Sequence, residues 1–490
     1  MTEPKSVRPR ARVPRGFRDR GAAEIAVERA CLDTIRRVFE SWGFEALETP
    51  ALEYTDALGE FLPDLDRPNE GVFSLQDEDG QWLSLRYDLT APLARYVAEN
   101  YQHLPKPFRR YQVGSVWRNE KPGPGRYREF TQFDADTVGS ASPAADAELL
   151  MMARDALLAA GLAHNEFVIK FNNRKLLDGV LEACGLALDE TPESNGRRGV
   201  VLRAIDKLDR LGIAGVRALL GEGRKDESGD FTRGAALGGH QIERIESFIA
   251  LAQSSGGRLA DAHAHVAGSR RGEEGFAELE AIERILGHES GIIFDPGIVR
   301  GLDYYTSAVF EAQLTFPVTN EAGEEIVFGS VVGGGRYDDL VARFTGERVP
   351  ATGISVGVSR LLTALRKRRA ATLPPVVLVL ALDREDRAGS FALAAELRAA
   401  GMRAETYIGE GGMKAQFKYA DRRGAAVAVI EGADERAKGE VTIKDLIMGA
   451  ELAKSVESRA AWVKDRPAQV TVPRVELVAR VRELLDRASR

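Results

Sequence analysis

The sequence predicts an α+β chain: an antiparallel sheet flanked by helices, a helical insertion, a return to the sheet, and a C-terminal α/β domain. Three observations predict it. Residues 70–140 alternate and turn like antiparallel strands. Residues 187–290 are rich in Gly, Arg and Glu and are helical where periodic. Residues 371–490 read β-α-β-α-β. At roughly 150 residues per domain, a length of 490 agrees with about three domains.

The elements follow in order. Residues 1–20 form a basic arm, with seven basic and two acidic side chains. Cys31, Ile35, Val38, Phe39 and Trp42 recur at helical steps, and Gly43 closes that helix. Phe44 to Pro50 is extended, because a residue before proline avoids the helical region. Asp79-Gly80 marks a hairpin turn. A helix from Ala144 to Ala160 and a strand at Phe167–Phe171 complete the first part of the main domain, residues 21–186. Within the insertion, 187–290, Val201, Ala204, Ile205 and Leu208 mark one helix face. Strands resume at Gly291–Leu314 and Ile326–Gly333, and a helix begins near Val358, giving a second part over 291–370. After the linker Arg366–Pro375, the last domain alternates Val376–Leu382, Ser390–Ala400, Arg403–Ile408, Met413–Arg423 and Ala425–Ile430.

Composition excludes several classes. With 44% apolar and 29% charged residues the chain is globular rather than disordered. Its longest apolar run, Pro374 to Leu382, is about half of what a membrane-spanning helix needs. The basic arm lacks the apolar core of a secretory signal. Two cysteines, Cys31 and Cys184, cannot build a disulfide framework or a cysteine zinc site, which points to a reducing cytoplasm. A net charge of −7 argues against non-specific coating of nucleic acid. The charge is uneven, however: residues 371–490 hold twenty Lys and Arg against eighteen Asp and Glu, leaving −9 on the rest.

No Gly-Lys dipeptide occurs, so a Walker-type phosphate loop is excluded, and there is no zinc-protease or serine-hydrolase motif. His263 and His265 lack a third ligand nearby and read as surface residues. Three blocks carry chemistry instead. They are Leu85 to Pro92, the hairpin Phe108 to Asp136, and Val299 to Tyr305 with Gly333 to Asp338 and Gly353 to Leu361 behind it. By the two-residue strand period, Gln112, Gly114, Val116 and Arg118 share a face, as do Arg128, Phe130, Gln132, Asp134 and Asp136. A face carrying cations, an aromatic ring, an amide and carboxylates is costly to bury against an apolar core. It reads as the floor of a polar cleft, with a solvated, ion-paired sheet face as the alternative.

These blocks resemble the class II aminoacyl-tRNA synthetases, and specifically the histidyl-tRNA synthetase family. Phe44 to Glu53 is similar to motif 1 of the class, a dimer-interface segment; Phe108 to Asp136 to motif 2; and Gly353 to Leu361 to motif 3. Arg300 to Tyr305 and Gly334 to Asp338 resemble the two histidine-specific signatures. The resemblance implies a homodimeric enzyme that activates L-histidine with ATP to histidyl-adenylate and pyrophosphate, then esterifies the 3′ end of histidine tRNA. It implies that Arg118 and Arg300 flank the α-phosphate and carboxylate, that Arg360 holds the γ-phosphate, and that adenine lies on Phe130 with Glu120 at its amine. For histidine it implies Asp88, Leu89 and Thr90 near the α-amino group, Gln132 and Tyr304 on the amino acid, and Asp136, Tyr305 and Tyr337 around the imidazole. Mg²⁺ is expected to bridge the phosphates, with no ligands assigned. The last domain resembles the anticodon-binding domain of the class, with Lys414, Lys418, Arg422 and Arg423 on one helix as candidate RNA contacts. The alternative within the family is a non-catalytic, histidine-sensing regulatory subunit of ATP phosphoribosyltransferase. That paralogue lacks the anticodon domain and tends to lose catalytic arginines, whereas Arg118, Arg300 and Arg360 all stand here.

Overall fold

The computed structural model describes residues 9–58, 71–123, 127–186, 191–225, 229–252, 258–287, 291–298, 304–319, 325–326, 330–365, 374–382, 387–455 and 468–488. The chain divides into two compact units, Met1–Ala370 and Ala371–Arg490.

The first unit is built on eight strands: β1 (Glu45–Ala46), β2 (Phe108–Trp117), β3 (Glu129–Val138), β4 (Phe167–Asn173), β5 (Ile292–Phe294), β6 (Ala308–Leu314), β7 (Ser330–Arg336) and β8 (Ala351–Gly357). Their order is β1-β2-β3-β8-β7-β6-β4-β5. The six central strands are antiparallel, and a short parallel strand closes each edge. One face is apolar. Helix α1 (Ala22–Ser41) places Cys31, Ile35 and Phe39 one turn apart and fully buried, and Phe39 meets Phe133 edge-on at 5.0 Å between ring centroids. The other face carries the polar alternates of the same strands.

The β2–β3 hairpin pairs in unbroken register from Phe108 with Val138 to Trp117 with Glu129. The stretch 70–140 is nevertheless not all strand. Helix α2 (Thr90–Asn100) interrupts it, because Asp88 accepts from the amides of Thr90 and Ala91 and so starts a helix. Leu93, Ala94 and Val97 then bury its inner face. Ahead of it Leu52–Tyr54, Trp82–Leu85 and Ser74–Gln76 form a small antiparallel sheet, with Gly80 turning at a φ of 77°.

After α3 (Pro143–Ala159) and α4 (Arg174–Ala183) come helices Pro192–Ile205, Leu208–Leu220, Gly239–Ile249 and Leu259–Val266, and then α5 (Arg270–Leu286). The region is not purely helical, since Gly223–Lys225 and Phe231–Arg233 pair as a hairpin. Val201, Leu220, Ile245, Phe248 and Ile282 belong to the same apolar core as Phe39, Phe133 and Ile169. The described helices between residues 192 and 286 are therefore packed into the sheet's own core. Helix α6 (Val358–Leu365) ends the unit.

The second unit is a five-stranded sheet, β9 (Val376–Val379), β10 (Ala404–Thr406), β11 (Ala425–Ile430), β12 (Glu440–Asp445) and β13 (Gln469–Pro473), in the order β10-β9-β11-β12-β13. Its first three strands are parallel and the last two pairings antiparallel. Alternation along β9 splits the core: Val377 and Val379 pack with Leu393 of α7 (Ala388–Ala399) and Leu484 of α9 (Leu477–Ala488). Val376 and Leu378 pack on the other face with Ala420 of α8 (Met413–Arg423). Both cysteines are buried and neither is in a disulfide. Among the described residues no helix is long and apolar enough to cross a membrane.

Candidate active site

Over the polar face of the sheet lies a cavity of about 280 Å³, lined from β3, β6, β7, β8, the start of α2 and the start of α6. Asp88, Thr90, Arg118, Glu120, Phe130, Gln132, Asp136, Tyr304, Tyr305, Tyr337 and Arg360 all border it. Two residues singled out from the sequence do not join them. Leu89 is fully buried and is not among the lining residues; its carbonyl accepts from Arg110 at 2.9 Å. Arg300, with the rest of residues 299–303, lies outside the described residues.

The inner end is a network of carboxylates and tyrosines. Asp136 forms an ion pair of 2.9 Å with Arg110, whose side chain is completely buried, and accepts the hydroxyl of Tyr337. Burial raises the Asp136 carboxyl above its usual range, while Arg110 and Tyr337 pull it back. Asp88 accepts the Tyr304 hydroxyl at 3.3 Å while its other oxygen caps α2. Burial, followed by the charges of Asp88 for Tyr304 and of Asp136 for Tyr337, pushes both phenols upward, so both stay protonated donors. Tyr304 meets Tyr305 and Tyr337 edge-on, at 5.0 and 5.8 Å.

Two glycines set the floor. A Cβ at Gly353, opposite Asp136 in register, would collide with that carboxylate. A Cβ at Gly114 would collide with the Arg86 guanidinium, which fills the space above that glycine. Arg86 is anchored there by the carbonyls of Thr49 and Ser115, each at 2.9 Å.

Toward the mouth the chemistry changes. The Arg118 guanidinium lies between two rings, 4.3 Å from the centroid of Tyr87 and 5.1 Å from that of Phe130. Gln132 donates to Ser355 at 2.5 Å. Arg360, on the first turn of α6, donates to the Ser330 carbonyl at 2.9 Å and remains exposed. Glu120 receives the Tyr87 hydroxyl at 3.5 Å. His263 and His265 lie far along the sequence from these blocks, against Phe276 and Phe248, and no cluster of three metal-binding side chains occurs among the described residues.

Sequence reasoning missed several members. Tyr87, which stacks on Arg118, and Arg110, which pairs with Asp136, sat beside chosen residues without being chosen, and Ser355 and Glu311 line the cavity. Asp134 had been placed on the correct strand face but given no role; it too lines the cavity and is 1% exposed. The lining thus holds five carboxyl groups, Asp88, Glu120, Asp134, Asp136 and Glu311, against the guanidinium groups of Arg118 and Arg360.

An antiparallel sheet with an arginine-bearing hairpin at its cleft, joined in one chain to an α/β unit, defines a class II aminoacyl-tRNA synthetase. Residues 16–361 match the family Histidyl-tRNA synthetase, and residues 376–484 match the family Anticodon binding domain. The chain belongs to the histidyl-tRNA synthetase family. It is 56% identical over 489 residues to the histidine–tRNA ligase of Caulobacter vibrioides, covering 98% of this chain and 97% of that one. It is 56% identical to that of Methylocella silvestris, with all of both chains covered. Among solved structures, the histidyl-tRNA synthetase of Nostoc sp. PCC 7120 superimposes with a TM-score of 0.70 at 29% identity, covering 97% of this chain and all of that one.

Proposed function

We infer that the chain is a histidine–tRNA ligase whose cleft holds L-histidine at its inner, carboxylate end and ATP at its mouth. The observation that carries this division is the gradient along β3. Successive residues of one face run from the ring of Phe130, through the amide of Gln132 and the carboxyl of Asp134, to the buried Asp136 beside Arg110. Asp136, anionic and tied from behind, suits the ring N–H of histidine; Tyr337 orients it, and Tyr305 walls the ring. Asp88 and Thr90 suit the α-ammonium group. Leu89 serves this end through its carbonyl, by holding Arg110.

In the first step a histidine carboxylate oxygen attacks the α-phosphorus of ATP. A new O–P bond forms, the bond to the β-phosphate oxygen breaks, and pyrophosphate leaves with its electrons. Charge grows on the α-phosphate oxygens, where the preorganised guanidinium of Arg118 stabilises it and Arg300 adds a second cation. Arg360 suits the γ-phosphate, while Phe130 and Glu120 suit the adenine. ATP enters as its magnesium complex, which lowers its charge before it meets five carboxyl groups. In the second step the 3′-terminal hydroxyl of histidine tRNA attacks the activated carbonyl and releases AMP.

The tRNA is gripped in part by the second unit, where Lys414, Lys418, Arg422 and Arg423 share α8; Arg423 also pairs with Glu405 at 3.1 Å. A homodimer is supported by the motif 1 resemblance of Phe44 to Glu53 and by the exposed Leu52, Tyr54, Leu75 and Trp82 on the adjoining small sheet. Two reduced cysteines fit a cytoplasmic setting. The regulatory-subunit reading is less supported. The solved neighbour whose title carries that description beside histidyl-tRNA synthetase, from Bacillus halodurans, is 24% identical and shares the fold alone, and the present chain carries a matched anticodon-binding unit.

The test is pyrophosphate exchange into ATP, run with each of the twenty amino acids. Exchange with histidine alone is expected. Exchange with a different amino acid would overturn the pocket assignments, and no exchange from folded, histidine-binding protein would favour the regulatory reading.

A further inference from the structure

The N-terminal arm takes no part in holding either substrate, yet one of its turns docks against the tip of the β2–β3 hairpin. Of residues 9–20 only Gly16 and Phe17 are partly covered; the others, including Arg10, Arg12 and Arg15, are exposed. Phe17 closes the turn by donating its amide to the Pro14 carbonyl at 3.1 Å, and Gly16 has a φ of 86°, where a side chain is strained. The Gly16 carbonyl accepts the Arg128 amide at 2.8 Å. The Arg128 stem lies so near that a Cβ on Gly16 would stand 2.8 Å from its Cγ. Phe17 packs on Phe73 with ring centroids 5.9 Å apart, and the Arg128 guanidinium lies 6.0 Å from the same ring. Arg18 lies over the ring of Tyr127 at 4.7 Å and pairs with Glu24 at the start of α1. The regular ladder of the hairpin stops at Trp117 and Glu129, short of Glu120. Past that point Arg128 makes the connections: its carbonyl accepts the Arg118 amide at 2.9 Å, and its Nε donates to the Glu120 carbonyl at 2.9 Å. Arg118, Glu120 and Tyr127 border the cavity, whereas Arg128 does not.

We propose that the Gly16–Phe17 turn and Arg128 form a positioning device for ATP: the arm holds Arg128, and Arg128 holds Glu120 where the adenine amine needs it. The proposal rests on Glu120 reading the adenine. A carboxylate selects an amine only while its own backbone is fixed, since a small drift forfeits the hydrogen bond. Two features of Gly16 point to fixing rather than to covering. Its positive φ and its missing side chain both permit close approach to Arg128, while the cations of the arm stay in solvent. Histidine is held at the far end of the same strand face, beyond Gln132. The arm therefore acts on one substrate and leaves the other alone.

The experiment measures histidine-dependent pyrophosphate exchange by the full chain carrying Gly16→Ala, Arg128→Met or Glu120→Ala, and by each of the first two combined with Glu120→Ala. Met keeps an unbranched stem against Gly16 and removes the guanidinium, so it leaves the backbone bonds of residue 128 to Gly16 and Arg118 in place. Arg128→Met and Gly16→Ala should each raise KM for ATP about tenfold, with kcat and KM for histidine within about threefold. Neither should add more than about twofold to KM for ATP once residue 120 is alanine, because a side chain that is gone cannot be misplaced. Should Gly16→Ala fail to fold, Arg128→Met carries the test alone. The proposal is overturned if the KM values for ATP and histidine rise together, which would mark a general loosening of the hairpin. It is equally overturned if KM for ATP does not move, or if the losses persist undiminished in the Glu120→Ala background. Failure of the underlying reading looks different: Glu120→Ala alone would then leave KM for ATP unchanged.

Discussion

Asp136 concentrates the chemistry of the inner cleft in one side chain. Its charge is held by a fully buried arginine and its orientation by a tyrosine, so the carboxylate is aimed before any substrate arrives. Removing it should therefore act on one substrate only. Asp136→Ala is expected to raise KM for histidine by about 100-fold or more, with KM for ATP changing less than about threefold. Equal losses in both, measured by pyrophosphate exchange, would show that Asp136 is not the imidazole reader. The place of Asp136 at the cleft was legible because the motif 2 resemblance covers it. Arg110 was not, although it was quoted in the same block: sequence shows that an arginine is on a strand, not that its guanidinium ends in a closed interior against an aspartate two strand positions past Asp134. Asp134 is the opposite case, since its face was correctly read and its complete burial beside a second carboxyl group was not.

Elements carried by one period were the most readable. The β2–β3 hairpin, α1 and the tail's alternation of strand and helix all appear close to where spacing put them, since each buries one regular face. Helix α2 was absorbed into the strands around it because its start depends on a side-chain cap from Asp88, which was being read as a ligand. The helices of 187–290 were legible as helices, but their burial in the main core depends on contacts between distant segments. One such contact is unusually close. α4 and α5 cross at Gly179 and Gly272, where a Cβ on Gly179 would strike the Gly272 backbone. Gly179→Ala should therefore destabilise the first unit by about 1–3 kcal/mol despite the better helix propensity of alanine. A calorimetric midpoint at or above that of the wild type would disprove the crossing. Aminoacyl specificity should be unaltered in this variant, since neither glycine borders the cleft.

At the scale of the whole chain, the two units have separate sheets and separate apolar clusters, so their activities should be separable. A chain ending at residue 370 should retain histidine-dependent pyrophosphate exchange within about tenfold while losing most transfer to histidine tRNA, because the matched anticodon-binding residues 376–484 are gone. Loss of exchange in a folded protein would mean that the first unit needs the second for chemistry. The order of strands in the large sheet has a further consequence, for synthesis. β3 is made early, but its partner β8 follows only after the insertion and β7, ending at Gly357. At ordinary elongation rates the nascent chain carries β3 with one bare edge for roughly 10–40 s. During that interval the half-built hairpin already exposes the acidic strand face that will become the pocket. Charge on an unpaired strand deters pairing with other nascent chains, so Asp134 and Asp136 guard the ribosome-bound intermediate with the same carboxyl groups that later line the cavity.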